Sequence, residues 1–343
     1  MKKSRILNIV SYTKIGLFLC LIVLVASCKS DTSAVTVHAD DDPAITELNA
    51  LIDKNTNDAS LYYQRAQLYY DKEKYDQAIA DLRFAVKIDS LNPDFRHLLS
   101  DAYLNYGHIH EAEQELNEVL RVFPERIPTL LKMAEFKYIN EDYDGSILTV
   151  NEIIRLDPQN AEAYFMLGMN FIALNDNARA INSFQTAVEL DSKLTDAWIY
   201  LGELYEEKKD PKALQYYESA VLSNPASMQA KHAKAYYLQN HKDIPGALEL
   251  YRSIIVEDKS YSDAYLNSGI LYLEMDSLNN AYEQFNLLVG INPTNYLGFY
   301  YRGIVNEKRG NKEAAIKDYT SSLNLNNNDK NVQNALENLK NQK

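Results

Sequence analysis

Cysteine is all but missing from this 343-residue chain, which has only Cys20 and Cys28. Basic charge is short as well: 35 lysines and arginines stand against 48 aspartates and glutamates, a formal net charge of −13. Two cysteines support no disulfide framework, and an acidic chain without a basic stripe excludes nucleic acid as a partner. No apolar run reaches the roughly 20 residues that cross a bilayer as a helix. Catalytic signatures are also missing: phosphate loop, dinucleotide fingerprint, HExxH and the GxSxG nucleophile elbow. His108 and His110, beside Glu111 and Glu113, match no metal-ligand spacing and read as solvated turn residues. The expectation is a chain that is not an enzyme and needs neither metal nor cofactor beyond a covalent lipid.

What is present begins at the N-terminus. Lys2, Lys3, Arg5 and Lys14 precede the apolar run LFLCLIVLVA at residues 17–26. A basic start, about ten apolar residues and small residues at the end describe a secretory signal peptide over residues 1–27. Val25-Ala26-Ser27-Cys28 then resembles the lipobox of bacterial lipoproteins: an aliphatic residue, two small ones, and a thiol to accept diacylglycerol. By that resemblance Cys28 is lipidated and opens the mature chain, which reaches the membrane through this anchor alone. Burying the acyl chains at about 0.8 kcal/mol per methylene totals on the order of 30 kcal/mol.

Four of the 35 basic residues leave with residues 1–27 and none of the 48 acidic ones, so the mature balance is 31 against 48, or −17. Residues 28–42 read as the lipidated cysteine and a flexible tether with an r.m.s. span of roughly 20 Å. Lys29 is not the aspartate that retains lipoproteins in the inner membrane of enteric bacteria, which favours the outer membrane. Ser30-Asp31 and Asp40-Asp41-Asp42 leave the periplasmic and surface faces both open.

From Ala59 the chain repeats with a period of 34, from starts at Ala59, Pro93, Ile127, Ala161, Thr195, Met228, Ser262 and Tyr296. The fifth repeat has lost one residue near Asp210-Pro211. Position eight of the repeat reads Ala66, Ser100, Ala134, Gly168, Gly202, Ala235, Gly269, Gly303. Position twenty reads Ala78, Ala112, Ser146, Ala180, Ala213, Ala247, Ala281, Ala315. Helices approach to about 8 Å only where side chains at the crossing are small, so these two columns mark the contact within each helix pair. Large residues return at position twenty-four, from Leu82 to Tyr319, and Pro124, Pro158, Pro225 and Pro293 close second helices.

These columns resemble the tetratricopeptide-repeat family over residues 59–329. The resemblance implies an all-α, right-handed solenoid of about eight helix-turn-helix repeats. Local departures are Lys137 and Asn306 in place of an aromatic, and Ser90, Ser192, Lys259 and Asn327 in place of the closing proline. Ala44, Leu48 and Leu51 fit the second-helix columns, so residues 43–58 read as an N-terminal half repeat. Val332, Ala335, Leu336 and Leu339 give residues 330–343 one apolar face, that of a C-terminal capping helix.

The family binds partners in a concave groove lined by first helices. Carried onto positions five, nine and twelve, the resemblance names Tyr63, Tyr70, His97, Asp101, Glu135, Tyr138, Phe165, Glu203, Tyr236 and Tyr300 as candidate groove residues. Aromatic and aliphatic groups alternate there with carboxylates, which points to apolar or basic segments of other proteins. The lysine and asparagine clamp with which some members hold a peptide C-terminus is missing. The tyrosines are also open to a packing role. The expected function is a membrane-anchored adaptor in the bacterial cell envelope. Two alternatives are an accessory subunit of an outer-membrane assembly, secretion or motility complex, and a peptidoglycan- or glycan-binding lipoprotein.

Overall fold

Small residues at two columns and turn residues between them dictate helix pairs, and helix pairs are what form. The computed structural model describes residues 42–341, so the signal segment, Cys28 and the tether up to residue 41 lie outside the described residues. Helix α1 (Pro43–Lys54) precedes eight pairs: α2 (Ala59–Asp71) and α3 (Tyr75–Ile88), α4 (Pro93–Tyr106) and α5 (Ile109–Val122), α6 (Ile127–Ile139) and α7 (Tyr143–Leu156), α8 (Ala161–Ala173) and α9 (Asn177–Leu190). The second half continues with α10 (Thr195–Glu207) and α11 (Ala213–Ser223), α12 (Met228–Asn240) and α13 (Ile244–Glu257), α14 (Ser262–Glu274) and α15 (Leu278–Ile291), α16 (Tyr296–Lys308) and α17 (Lys312–Leu325). Helix α18 (Lys330–Asn341) closes the array.

Every first helix starts on the residue the period assigns to it. Asp58, Asn92, Asn160, Ser227 and Asn295 cap five of these starts by accepting a backbone N–H of the first turn. The residue missing from the fifth repeat is taken from the approach to its second helix, α11, which runs 11 residues where α9 and α13 run 14.

The turn inside each pair is the same in all eight repeats. Its position fifteen lies in the left-handed region, at φ 56° to 66° for Glu73, Glu141, Asn175, Lys209, Lys242 and Asp276, and at 88° and 78° for Gly107 and Gly310. The following N–H then reaches back five residues, as Lys74 N to Tyr69 O at 2.9 Å and His108 N to Tyr103 O at 2.8 Å. This is the Schellman closure, which satisfies carbonyls the helix end leaves bare. Six of the eight repeats therefore hold an L side chain where glycine is at ease.

Within a pair the two small columns meet. Ser100 Oγ donates to Ala112 O and Ser146 Oγ to Ala134 O, each at 2.8 Å, so the backbones lie one side chain apart. The size of position eight follows what lies across it. Ala66, Ser100 and Ala134 face Leu82, Leu116 and Val150, whereas Gly168, Gly202, Gly269 and Gly303 face Phe184, Tyr217, Phe285 and Tyr319. A Cβ added at Gly168 would stand 2.5 Å from the Phe184 ring, and one at Gly269 would stand 2.6 Å from Phe285. Ala235 opposite Tyr251 breaks the pattern, and nothing in the structure explains it. The single tryptophan, Trp198 on α10, stacks on Tyr216 of α11 at 6.1 Å and donates to Ser192 O.

The two departures from the aromatic column are compensated locally. Lys137 donates to Thr149 Oγ1 at 3.0 Å, and buried Asn306 donates to Asp318 at 2.9 Å. Asp318 is also held by Arg302 through both guanidinium arms, and in the first repeat Arg65 holds Asp81 in the same way. Arg65 and Arg302 each spend a further nitrogen on an asparagine of the preceding second helix, Asn49 and Asn286.

The N-terminal half repeat is a single helix with one face left open. Helix α1 buries Ile45, Leu48 and Ile52, while Ala44 is exposed and Leu51 is 37% exposed. In complete pairs the positions equivalent to Ala44 and Leu51 are covered by the pair's own first helix. Helix α1 has none among the described residues, so Ala44 and Leu51 stay open while Ile52 packs with Tyr62, Ala85 and Phe95. At the other end α18 buries Val332, Leu336 and Leu339, as its sequence pattern requires.

Two outcomes follow. Replacing Glu73, Glu141 or Lys209 with glycine relieves the left-handed strain and should stabilise the array by about 0.5–1 kcal/mol each, less for Asn175, read as slower amide exchange in the flanking helices. Gly168→Ala should cost a net of about 1–2 kcal/mol in urea unfolding despite alanine's better helix propensity. Adding Phe184→Leu should recover part of that loss; strict additivity of the two changes would refute the contact.

Candidate functional site: the inner face of the first helices

Alternate first helices touch one another, α2 with α4, α4 with α6 and α12 with α14, whereas no pair of alternate second helices comes as close among the described residues. First helices therefore line the inside of the curve. Asp101 and Glu135 at position nine and Tyr70 at position twelve converge there on one hollow of about 230 Å³.

Its geometry is polar and held together. Lys132 donates to both oxygens of Asp101, at 2.8 and 2.7 Å, and Asn105 donates to the Tyr70 hydroxyl at 2.8 Å. Burial, then the Asp101 charge, pushes the Tyr70 hydroxyl up to about 12, so it stays protonated. Glu135 touches solvent yet sits in a concave wall of protein; desolvation raises its carboxyl, Lys132 opposes this and Asp101 adds to it. Lys132 and Asn105 were not among the sequence candidates. Positions six and thirteen lie one helical turn from nine, so the 3.6-residue period carried the signal.

The other aromatic candidates lie half-buried along the same face. Tyr63 leans on Phe95 at 5.0 Å, Tyr138 meets Tyr143 edge-on at 5.6 Å, and Phe165 stands against the stacked rings of Phe184 and Tyr200 at 5.6 and 6.1 Å. Tyr236 flanks His232 at 6.5 Å, and Tyr300 stands by Tyr301 and Tyr319 at 5.1 and 6.1 Å. Each ring thus packs on one side and faces the groove with the remainder. Glu203 is exposed.

Second helices also reach this face. Tyr217, Tyr251 and Tyr319 donate their hydroxyls to Glu206, Gln239 and Glu307 at position twelve, at 2.9, 2.9 and 2.7 Å. The charge along the face is predominantly negative. Asp101, Glu135 and Glu203 at position nine, Glu206 and Glu307 at twelve, and Asp71, Glu207 and Glu274 at thirteen outnumber the two cations of columns six, nine, twelve and thirteen, Lys132 and Lys308.

His97 is a correction. It is 8% exposed and its Nε2 pairs with Thr129 Oγ1 at 2.9 Å, so it ties α4 to α6 rather than facing a partner. His108 and His110 are both exposed; His108 stacks on Tyr103 at 5.9 Å, and His110 pairs with Gln114.

Desolvation, with Lys132 and Arg126 adding repulsion, lowers the His97 pKa below its ordinary value. The folded state thus favours neutral imidazole, and its contribution is present above the unfolded pKa of about 6.5 and lost as pH falls below it. The urea midpoint should drop between pH 7.5 and 5.5, and His97→Asn should shrink that drop; an unchanged drop would remove His97 as its source.

Comparison with known proteins agrees with this geometry. Tetratricopeptide-repeat family models match residues 69–134, 165–228 and 262–295. Among curated relatives, the mitochondrial import receptor subunit TOM70 of Homo sapiens is 22% identical over 277 residues, covering 77% of this chain and 46% of that one. The general transcriptional corepressor ssn6 of Schizosaccharomyces pombe is 28% identical over 183 residues, covering 52% of this chain and 16% of that one. This chain thus spans less than half the length of either.

Among solved structures, the APC/C hetero-tetramer Cut9-Hcn1 matches with a TM-score of 0.53 at 15% identity, over 86% of this chain and 58% of that one. A tetratricopeptide repeat protein from Parabacteroides merdae matches with 0.50 at 15% identity, over 73% of this chain and 99% of that one. At these identities the likeness is one of fold. Repeated small columns, uniform helix pairs and three family matches lead to one conclusion: the chain is a solenoid of tetratricopeptide repeats.

Proposed function

We propose that this protein is a lipid-anchored adaptor of the bacterial cell envelope, which holds an extended, apolar or basic segment of another protein along its inner face. The observation that carries the reading is the predominantly acidic lining of that face: carboxylates and half-buried ring edges over eight successive first helices, with Lys132 and Lys308 as the cations of columns six, nine, twelve and thirteen. Opposite charge steers a basic partner to such a surface and sets its register, and aromatic edges supply the desolvated contacts that dominate affinity. Relatives named as a receptor subunit and a corepressor support a role in holding other proteins. The lipobox resemblance at Cys28 and the basic, then apolar, start of the chain support anchoring, with the outer membrane favoured by Lys29.

The test is photocrosslinking in the native bacterium, with the crosslinker at Tyr138 or Phe165 in the groove and at Lys87 on α3 as the off-groove control. One partner captured from both groove sites and not from Lys87 is expected, and Cys28→Ser should move the protein from the membrane to the soluble fraction. Equal, diffuse capture from all three sites would refute the groove as the working surface, and a membrane-bound Cys28→Ser protein would refute the anchor.

A further inference from the structure

The two ends of the array are not alike. Helix α18 stands where the first helix of a ninth pair belongs, and it presents Gln333, Glu337 and Lys340 to solvent while Val332, Leu336 and Leu339 are buried. Helix α1 stands where the second helix of an earlier pair belongs, and the face that its own first helix would cover carries Ala44, Leu48 and Leu51. Ala44 is exposed and Leu51 is 37% exposed. Beside them opens a hollow of about 720 Å³, walled by these three residues and, on α2, by Gln64, Gln67 and Asp71.

The walls have the pattern of a missing first helix. In every complete pair, position twenty is the small residue over which the first helix crosses, and in α1 that residue is Ala44. Positions six and thirteen of α2 are those a preceding first helix would meet, as α6 meets α4 through Lys132 and Asp101 and α4 meets α2 through Asn105 and Tyr70. The slot therefore fits a helix with a small residue at its centre and an apolar stripe for Leu48 and Leu51. Its rim has a charge: Glu47 and Asp71 border it, and the neighbouring Lys72 is held by Asp42 at 2.7 Å. A helix with basic flanks is the complement.

Other occupants match less well. The α18 helix of a second copy would bring Glu337 to the crossing. Two α1 faces set against each other would oppose Glu47 and Asp71 to their own copies. Residues 29–41 read KSDTSAVTVHADD, acidic and without a helical apolar stripe. We propose that the N-terminal end of the array is a docking slot for an amphipathic helix of another protein, with a small central residue and lysines or arginines on its flanks. The slot stands apart from the groove reading and survives its failure.

The test uses the full chain and a synthetic helical peptide of about 15 residues, with a central alanine, leucines at i, i+3 and i+4 spacing, and flanking lysines. A second peptide carries glutamates in place of the lysines. Fluorescence polarisation should show the lysine peptide binding at least about tenfold more tightly than the glutamate peptide. Ala44→Tyr, which fills the crossing on an exposed face, should weaken it by about tenfold or more, and Leu51→Ser by a smaller factor. Far-UV circular dichroism should confirm that both variants stay folded. The groove variant Tyr138→Ala should bind the peptide as the parent does.

Equal binding of the two peptides, no binding of either at about 1 mM, or an unchanged Ala44→Tyr would overturn the slot. A dimer in sedimentation that Ala44→Tyr dissociates would hand the slot to a second copy. A tenfold gain in peptide affinity on deleting residues 29–41 would hand it to the chain itself. Both of those outcomes also overturn the proposal.

Discussion

The close crossing of paired helices, small residue over small residue, is the contact on which everything else in this molecule depends. It sets the spacing between the two helices of a repeat, and the spacing sets what fits across it. Alanine or serine suffices where leucine or valine lies opposite; glycine is required where Phe184, Tyr217, Phe285 or Tyr319 lies opposite. With pairs this tight, first helices come within touch of one another along one side, and the array curves around them. The inner face is thus a by-product of packing, and its chemistry is whatever the remaining positions of those helices carry.

Polar groups buried in such an array fix register more than they add stability. The Arg65–Asp81 and Arg302–Asp318 pairs are both bidentate, and Asp81 and Asp318 are 5% and 4% exposed. Desolvation raises the Asp81 carboxyl while Arg65 opposes it, so the gain from pairing is set against the loss of water. What the pairs do define is alignment. Each arginine joins both helices of its own repeat to an asparagine of the repeat before, a three-helix clip in the first and last repeats.

Most of the fold was legible because the repeat is its own control: eight copies of one pattern average out local noise. First-helix starts agree to the residue, since each start coincides with a cap or with the end of a closing turn of fixed length. A column names a position's neighbours only where the array supplies them. Ala44 and Leu51 fit theirs but have no first helix among the described residues to cover them. His97 fits a groove column, yet Thr129 lies within reach of its ring and draws it inward. Lys132, Asn105 and the hydroxyls of Tyr217, Tyr251 and Tyr319 were missed because they come from columns a one-face reading leaves out, two of them a turn away and one on the other helix of the pair. The left-handed turn residues were invisible for a different reason: six of the eight are not glycine, so composition gave no sign of the backbone they adopt.

The lone tryptophan gives the array an optical asymmetry. Trp198 lies in the fifth of eight repeats, stacked on Tyr216, in a chain with 26 tyrosines that absorb at shorter wavelength and pass excitation to a nearby indole. Its emission reports on the middle of the solenoid, while circular dichroism counts every helix equally. In a one-dimensional stack, where each repeat is held by its neighbours alone, the terminal repeats are free to melt first. The gap between the two melting curves is then a direct measure of how many repeats unfold as one, read from the wild-type chain without a single added label.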